Sequence, residues 1–152
     1  YISKQGYVNY VDFTTGLEKA VKRLSLEKAV KIYLRNLSEA EKWSIIRENH
    51  VLLFPSLTNA AIDPPLVVLE GMFMGRCIVA TPVQSIPYLL KDRRGVIIDR
   101  RKLEDNIYKV IRGLQDSPEL LKTYCTNSRG WVSESHSMNV VRDKMREILH
   151  ES

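Results

Sequence analysis

The chain has 152 residues, 44% of them hydrophobic, which is the size of one ordinary domain with enough apolar side chains for a core, so residues 1–152 read as a single domain. Lys and Arg number 23 against 18 Asp and Glu, a net charge of +5, which suits nucleotide phosphate, anionic lipid or nucleic acid without requiring a specialised face. No window approaches the roughly 18 unbroken apolar residues of a membrane span, the first twenty residues lack the apolar core of a signal peptide, and three scattered histidines argue against a metal held by the protein.

From the amino end, Tyr7–Phe13 is rich in β-prone aromatic residues and reads as a strand, without clean alternation. At Gly16 the period turns helical: Leu17, Ala20, Val21 and Leu24 fall at i, i+3, i+4 and i+7. Val30–Leu34 is the next strand candidate. Ser38-Glu-Ala-Glu41 is a capping box, in which the serine oxygen and the glutamate carboxylate satisfy orphan backbone donors, and it predicts a helix to about Asn49.

Val51–Phe54 reads as a buried parallel strand. A polar turn follows, then a helix entered through Asp63-Pro64-Pro65, with Asp63 placed to cap it. Gly75 closes that helix, Ile78–Thr81 forms the next strand, Ile86-Pro87 opens a short helix, and Gly95–Ile98 forms a third strand. Strands alternating with helices predict an α/β fold, a Rossmann-like parallel sheet with helices on both faces. Leu103, Ile107, Val110, Ile111 and Leu114 make another helical stripe, and Ser117-Pro118 starts a further helix. The terminal helix, Met138–Leu149, turns Val141, Met145, Ile148 and Leu149 toward a core, with Trp131 anchoring the approach. Cys77 and Cys125 lack paired spacing and read as reduced thiols of a cytoplasmic protein, with the membrane surface a further location that the basic balance allows.

The segment HVLLFPSLTNAAIDPPLVVLEGMFMGRCIVATPVQSIPYLLKDRRGVIID, His50 to Asp99, resembles the carboxyl-terminal lobe of retaining glycosyltransferases of the two-lobed GT-B fold. The resemblance rests on the order of six features: Phe54-Pro55-Ser56 ending a strand, Pro65 to Met72 with Glu70 on a helix, Gly75, Ile78–Thr81, Ile86-Pro87, and Gly95–Ile98. It implies a site for a nucleotide-sugar donor of the UDP or GDP type, used as substrate with no further cofactor. It also implies an acceptor-binding lobe or partner subunit supplied from elsewhere. By this resemblance Glu70 accepts from the ribose hydroxyls. Amides of Leu66 and Val67 hold the diphosphate at the helix end, and Ser56 and Thr58 line the turn. Prolines 64 and 65 have no N–H, so useful donors begin at Leu66.

Several positions depart from the family pattern: Gln84 and Ser85 stand for a glycine pair before Ile86-Pro87, Tyr88 for an acidic residue after it, and two further changes fall at the site itself. The family has a glutamate eight positions before Glu70, contacting the transferred sugar; here it is Ile62, which accepts no hydrogen bond, and Asp63 takes that role only if the loop shifts by one residue. Arg35 stands where a glycine lets the backbone approach the base, and its guanidinium either stacks on the base or pairs with a phosphate, or else fills the space the base would need. No residue is an evident catalytic base, and no Ser/His/Asp triad or Gly-x-Gly-x-x-Gly loop suggests another chemistry. The competing reading is a non-catalytic interaction module that kept the fold. A binder of anions or nucleic acid through the basic run Lys91–Lys102 is weaker, since no aromatic residues interleave there to stack bases. A doubly wound strand order would leave the edge beside Val51 open, which calls for cover by residues 1–13, a second copy or another segment.

Overall fold

The computed structural model describes residues 10–59 and 62–150, which divide into two compact units meeting between Lys42 and Trp43. The first unit holds α1 (Tyr10–Arg23) and the start of α2 (Glu39–Glu48). Tyr10–Phe13 is thus helical, not extended, whereas Tyr7–Asn9 lie outside the described residues. The reason is periodic: in sequence Tyr10 and Phe13 lie seven and four positions before Leu17 and so continue its helical stripe, which outweighs their β-propensity. Val30–Leu34 forms no strand. It has no regular secondary structure, and Val30, Tyr33 and Leu34 are exposed; β-propensity makes a strand only where a sheet receives it. The capping box forms as predicted: Ser38 N–H donates to Glu41 Oε2 at 2.9 Å and Glu41 N–H to Ser38 Oγ at 3.3 Å.

The second unit is built on three parallel strands, β1 (Val51–Phe54), β2 (Cys77–Ala80) and β3 (Val96–Ile97), in the order β1-β2-β3. Val51 pairs with Cys77 and Phe54 with Ala80, while Val79 pairs with Val96. Side chains alternate across a strand, and β2 is wholly buried on both sides. Ile78 and Ala80 join Val68 and Met72 of α3 (Leu66–Phe73) and Ile86 and Leu89 of α4 (Ile86–Leu90) in one core. Cys77 and Val79 join Ile98 and Leu114 of α5 (Leu103–Asp116) in the other. The long α6 (Pro118–His136) serves both, Leu120, Leu121 and Tyr124 packing on the second core and Val132 with Trp131 on the first. Helices on both faces of a parallel sheet are the predicted architecture.

Burial pushes the Cys77 thiol up to about 12 and raises that of Cys125 as well. Both are free thiols, Cys77 buried and Cys125 half-buried, and the raised values disfavour the reactive thiolate. The last helix, α7 (Met138–His150), departs from expectation: Val141, Met145, Ile148 and Leu149 are 42–74% exposed and enter no core. Among the described residues no helix is long and apolar enough to cross a membrane.

Two glycines separate packing constraint from helix propensity. A Cβ on Gly95 would lie 2.7 Å from the Ile78 carbonyl oxygen and 2.8 Å from Leu90 Cδ2, whereas one on Gly113, inside α5, meets nothing within 4 Å. Gly95→Ala is therefore expected to destabilise the protein by about 1–3 kcal/mol, and Gly113→Ala to stabilise it by about 0.5–1 kcal/mol. Urea unfolding of the two variants checks both signs.

Candidate functional site

The carboxyl ends of β1 and β2 give rise to two loops, residues 55–65 and 81–85, and side-chain hydrogen bonds hold both. The Thr81 hydroxyl donates to the Ser56 carbonyl, and Ser56 Oγ donates to the Thr58 carbonyl at 2.7 Å. Ser56 and Thr58 are thus brought together, as part of one tight turn. Thr81 also donates its N–H to the Phe54 carbonyl at 3.3 Å, so the fully buried Thr81 fastens the start of the first loop to the sheet.

Asp63 does not cap α3. The capping position is Pro65, with no side-chain cap bond, because the second proline carries the chain two residues past Asp63 before the helix begins. Asp63 Oδ1 instead accepts from Ser85, from its N–H at 3.2 Å and from its hydroxyl. The two loops are thereby tied across the mouth of the sheet. One carboxylate oxygen, Oδ1, is thus engaged by Ser85 and not by the first turn of α3. Nothing in the sequence pairs residues 22 positions apart; only the parallel register of β1 and β2 brings their exits together.

At the α3 entrance the Pro65 carbonyl already takes the Val68 N–H at 3.0 Å. Among the described residues, the Leu66 and Val67 amides are the first-turn donors that no neighbouring carbonyl accepts from. The two residues are 57% and 38% exposed, whereas Val68 and Met72 face the core. Glu70 lies one turn along, four positions from Leu66 and three from Val67, on the same outer face, half-buried and engaged within the protein. A carboxylate about 6 Å down the axis from a pair of open amides can accept hydroxyl hydrogen bonds while the helix end attracts an anion. Gly71 lets this helix lie close on the sheet: a Cβ there would sit 2.7 Å from Leu52 Cδ1 and 2.9 Å from Ile78 Cδ1. Ile62 is 58% exposed.

Arg35 belongs to the first unit, and its guanidinium is held there. Nη1 donates to Glu41 Oε2 at 3.0 Å and Nη2 to Oε1, a two-pronged pair, which joins Arg35 to the capping box of α2. That hydrogen bonding lowers the Glu41 carboxyl to about 2. The basic run Lys91–Lys102 is also less free than its sequence suggests. Arg94 is 4% exposed, donates to the Lys91 and Tyr88 carbonyls at 2.8 Å, and stacks 4.2 Å over the Trp131 ring. Arg100 donates to the Pro82 carbonyl at 2.8 Å, and Arg101 pairs with Asp99. Of the six basic residues in the run, Arg94 and Arg100 thus bind carbonyls and Arg101 a carboxylate.

Among the described residues no group of three or more His, Cys, Asp or Glu side chains is placed to hold a metal ion. The family model of glycosyl transferases group 1 matches residues 12–116. The chain belongs to that family. The lobe is similar in fold to Anabaena HepE, solved with UDP and glucose, at 17% identity and a TM-score of 0.78, over 93% of this chain and 37% of that one. It is similar to the carboxyl-terminal domain of the group 1 protein LpcC from Francisella tularensis, at 21% identity and a TM-score of 0.69, over 84% of this chain and 64% of that one. Sucrose-phosphate synthase from Thermosynechococcus elongatus gives 16% identity and a TM-score of 0.74, over 98% and 36%. The lobe therefore spans a little over a third of the length of HepE and the synthase. No curated protein matches it in sequence.

The Arg35 pair gives a pH signature. The folded value of Glu41, about 2, lies below the ordinary carboxylate value of about 4.3. The pair's contribution is thus present above the unfolded value and is lost as pH falls through the folded one. Glu41 followed by NMR should titrate near 2 in the native protein, and in Arg35→Gln should move up toward the usual carboxylate range. A second outcome concerns the loop tie: Asp63→Ala and Ser85→Ala should each cost about 1 kcal/mol, and the double variant no more than the larger single loss plus a few tenths. Denaturation across the four proteins measures that coupling.

Proposed function

We propose that this lobe binds the nucleotide part of a nucleotide-sugar donor, and that it serves glycosyl transfer with retention together with an acceptor-binding lobe or partner. The observation that carries the reading is the α3 amino end: two open amides, Leu66 and Val67, and Glu70 one turn down the same outer face. In this reading the diphosphate lies at the amides and the ribose hydroxyls donate to Glu70. Ser56 and Thr58 shape the turn beside them, and the chemistry of bond exchange takes place in a cleft that half a site cannot form. UDP is the favoured base carrier, GDP the next, because the similar HepE fold was solved with UDP.

Ile62 is the observation that favours a second reading, a fold retained for interaction with the chemistry lost. An exposed isoleucine supplies no acceptor for sugar hydroxyls, whether or not the nucleotide binds. Arg35, held by Glu41, acts in our reading as a staple of the α2 entrance and not as a base-stacking group.

Calorimetric titration of UDP, GDP and ADP and their glucose conjugates tests the assignment. A preference for one nucleoside diphosphate is expected, with the conjugate bound within about tenfold of the free diphosphate because Ile62 adds nothing for the sugar. Glu70→Ala should weaken binding by about tenfold or more, the loss of a charge-assisted hydrogen bond. No nucleotide binding at all, or a Glu70→Ala protein that binds unchanged, would transfer support to the interaction module. The purified lobe mixed with donor and acceptor is expected to give no turnover.

A further inference from the structure

The entry of β2 lies at the opposite end of the sheet from the candidate site, a strand length of about 13 Å away. There the connection from α3 to β2 and one face of α6 enclose a cleft of about 470 Å³, a volume within the range of small-molecule sites. Both walls belong to the second unit. On the α6 side stand Thr126, Arg129, Gly130 and Ser133, which fall at i, i+3, i+4 and i+7 and so share one face of the helix. Gly75 and Arg76 stand opposite, and no Asp or Glu lines the cleft.

The donors of this cleft are held in direction. Arg76, half-buried, is fixed by three carbonyls: Nε donates to Met74 at 2.9 Å, and Nη1 to Asn49 at 2.9 Å and Arg47 at 3.4 Å. Its Nη2 is left over. The stem of Arg129 crosses Gly75, where a Cβ would lie 3.5 Å from Arg129 Cδ. Among the described residues, the Arg129 guanidinium and the Thr126 and Ser133 hydroxyls have no hydrogen-bond partner in the protein. The carboxyl end of α3 would oppose an anion here, but its carbonyls are occupied. Those of Glu70, Gly71 and Met72 accept from the Met74, Arg76 and Gly75 amides, and that of Met74 accepts from Arg76.

We propose that this cleft is a second ligand site, for the phosphate group of a small phosphate ester. Two guanidinium groups supply charge-assisted donors of the kind that fit a phosphate. The two hydroxyls both donate and accept, which suits hydroxyl groups on the remainder of the molecule. The volume exceeds what a lone inorganic phosphate fills. The proposal uses no residue of the rim and so stands apart from the nucleotide reading.

The test is NMR titration of the full chain with glycerol 3-phosphate, inorganic phosphate and succinate, followed at the backbone amides. Glycerol 3-phosphate is expected to shift Gly75, Thr126 and Gly130 saturably, with half-saturation at about 1 mM or below, and to bind several-fold more tightly than inorganic phosphate. Arg129→Gln should weaken it by about tenfold. Gly130→Leu fills the cleft from a position where a Cβ meets nothing within 4 Å, and it should abolish the shifts with the circular dichroism unchanged. Arg112→Gln, the same charge change at an exposed position of α5, should leave binding within about twofold. Four results would overturn the proposal. They are no saturation by about 20 mM, shifts at Leu66 and Val67 without shifts at the cleft, succinate bound as tightly as the phosphate ester, or equal losses in Arg129→Gln and Arg112→Gln.

Discussion

The constraint on which this lobe depends is the burial of β2 from both sides. Cys77, Ile78, Val79 and Ala80 have no exposed surface, so cover is required above and below, and parallel strands can be joined only by crossovers long enough to provide it. α3 and α4 supply one cover and α5 the other, while α6 reaches both. Because every strand runs the same way, β1 and β2 both deliver their exits, and the entrances of α3 and α4, to one rim. The place of the candidate site at that rim follows from the sheet's direction before any residue there is chosen.

What the sequence adds is rigidity at the rim. Thr81 holds Ser56, and Ser85 holds Asp63, so the long loop from β1 is fastened at both ends to the shorter one from β2. The two prolines then remove N–H groups just where the helix begins and leave the next two amides open. A ligand arriving at such an end meets donors already fixed in direction and needs to order little of the protein.

Much of this could be read in advance where local pattern and tertiary demand agree. The three strands, the capping box and the stripe of α5 are each declared by spacing, and burial in the fold rewards the same residues that spacing selects. The sequence misleads where one of the two is missing. Val30–Leu34 has β-propensity but no ladder, Tyr10 and Phe13 have β-propensity inside a helical period, and the stripe on α7 has helical spacing but joins neither core of the described residues. Asp63 was misjudged for another reason: capping is inferred from neighbours in sequence, and its partner Ser85 is a neighbour only through strand register. The positions of Glu70, Leu66 and Val67 on one outer face, by contrast, follow from helical period alone.

The surplus of five positive charges takes a different meaning once the arginines are located. Arg76 donates to the Met74 and Asn49 carbonyls at 2.9 Å, Arg94 to those of Lys91 and Tyr88, and Arg100 to that of Pro82. These oxygens lie at element ends and turns, where carbonyls lack regular partners, and a guanidinium with five donors can satisfy two of them at once. Such arginines still count in the net charge, yet their directed hydrogen bonds point into the protein. The anion-attracting features that remain are therefore not where the basic residues are densest in sequence. One candidate is uncharged, the pair of amides at α3, so composition alone would direct attention to the run between Lys91 and Lys102, where Arg94 and Arg100 already donate to carbonyls.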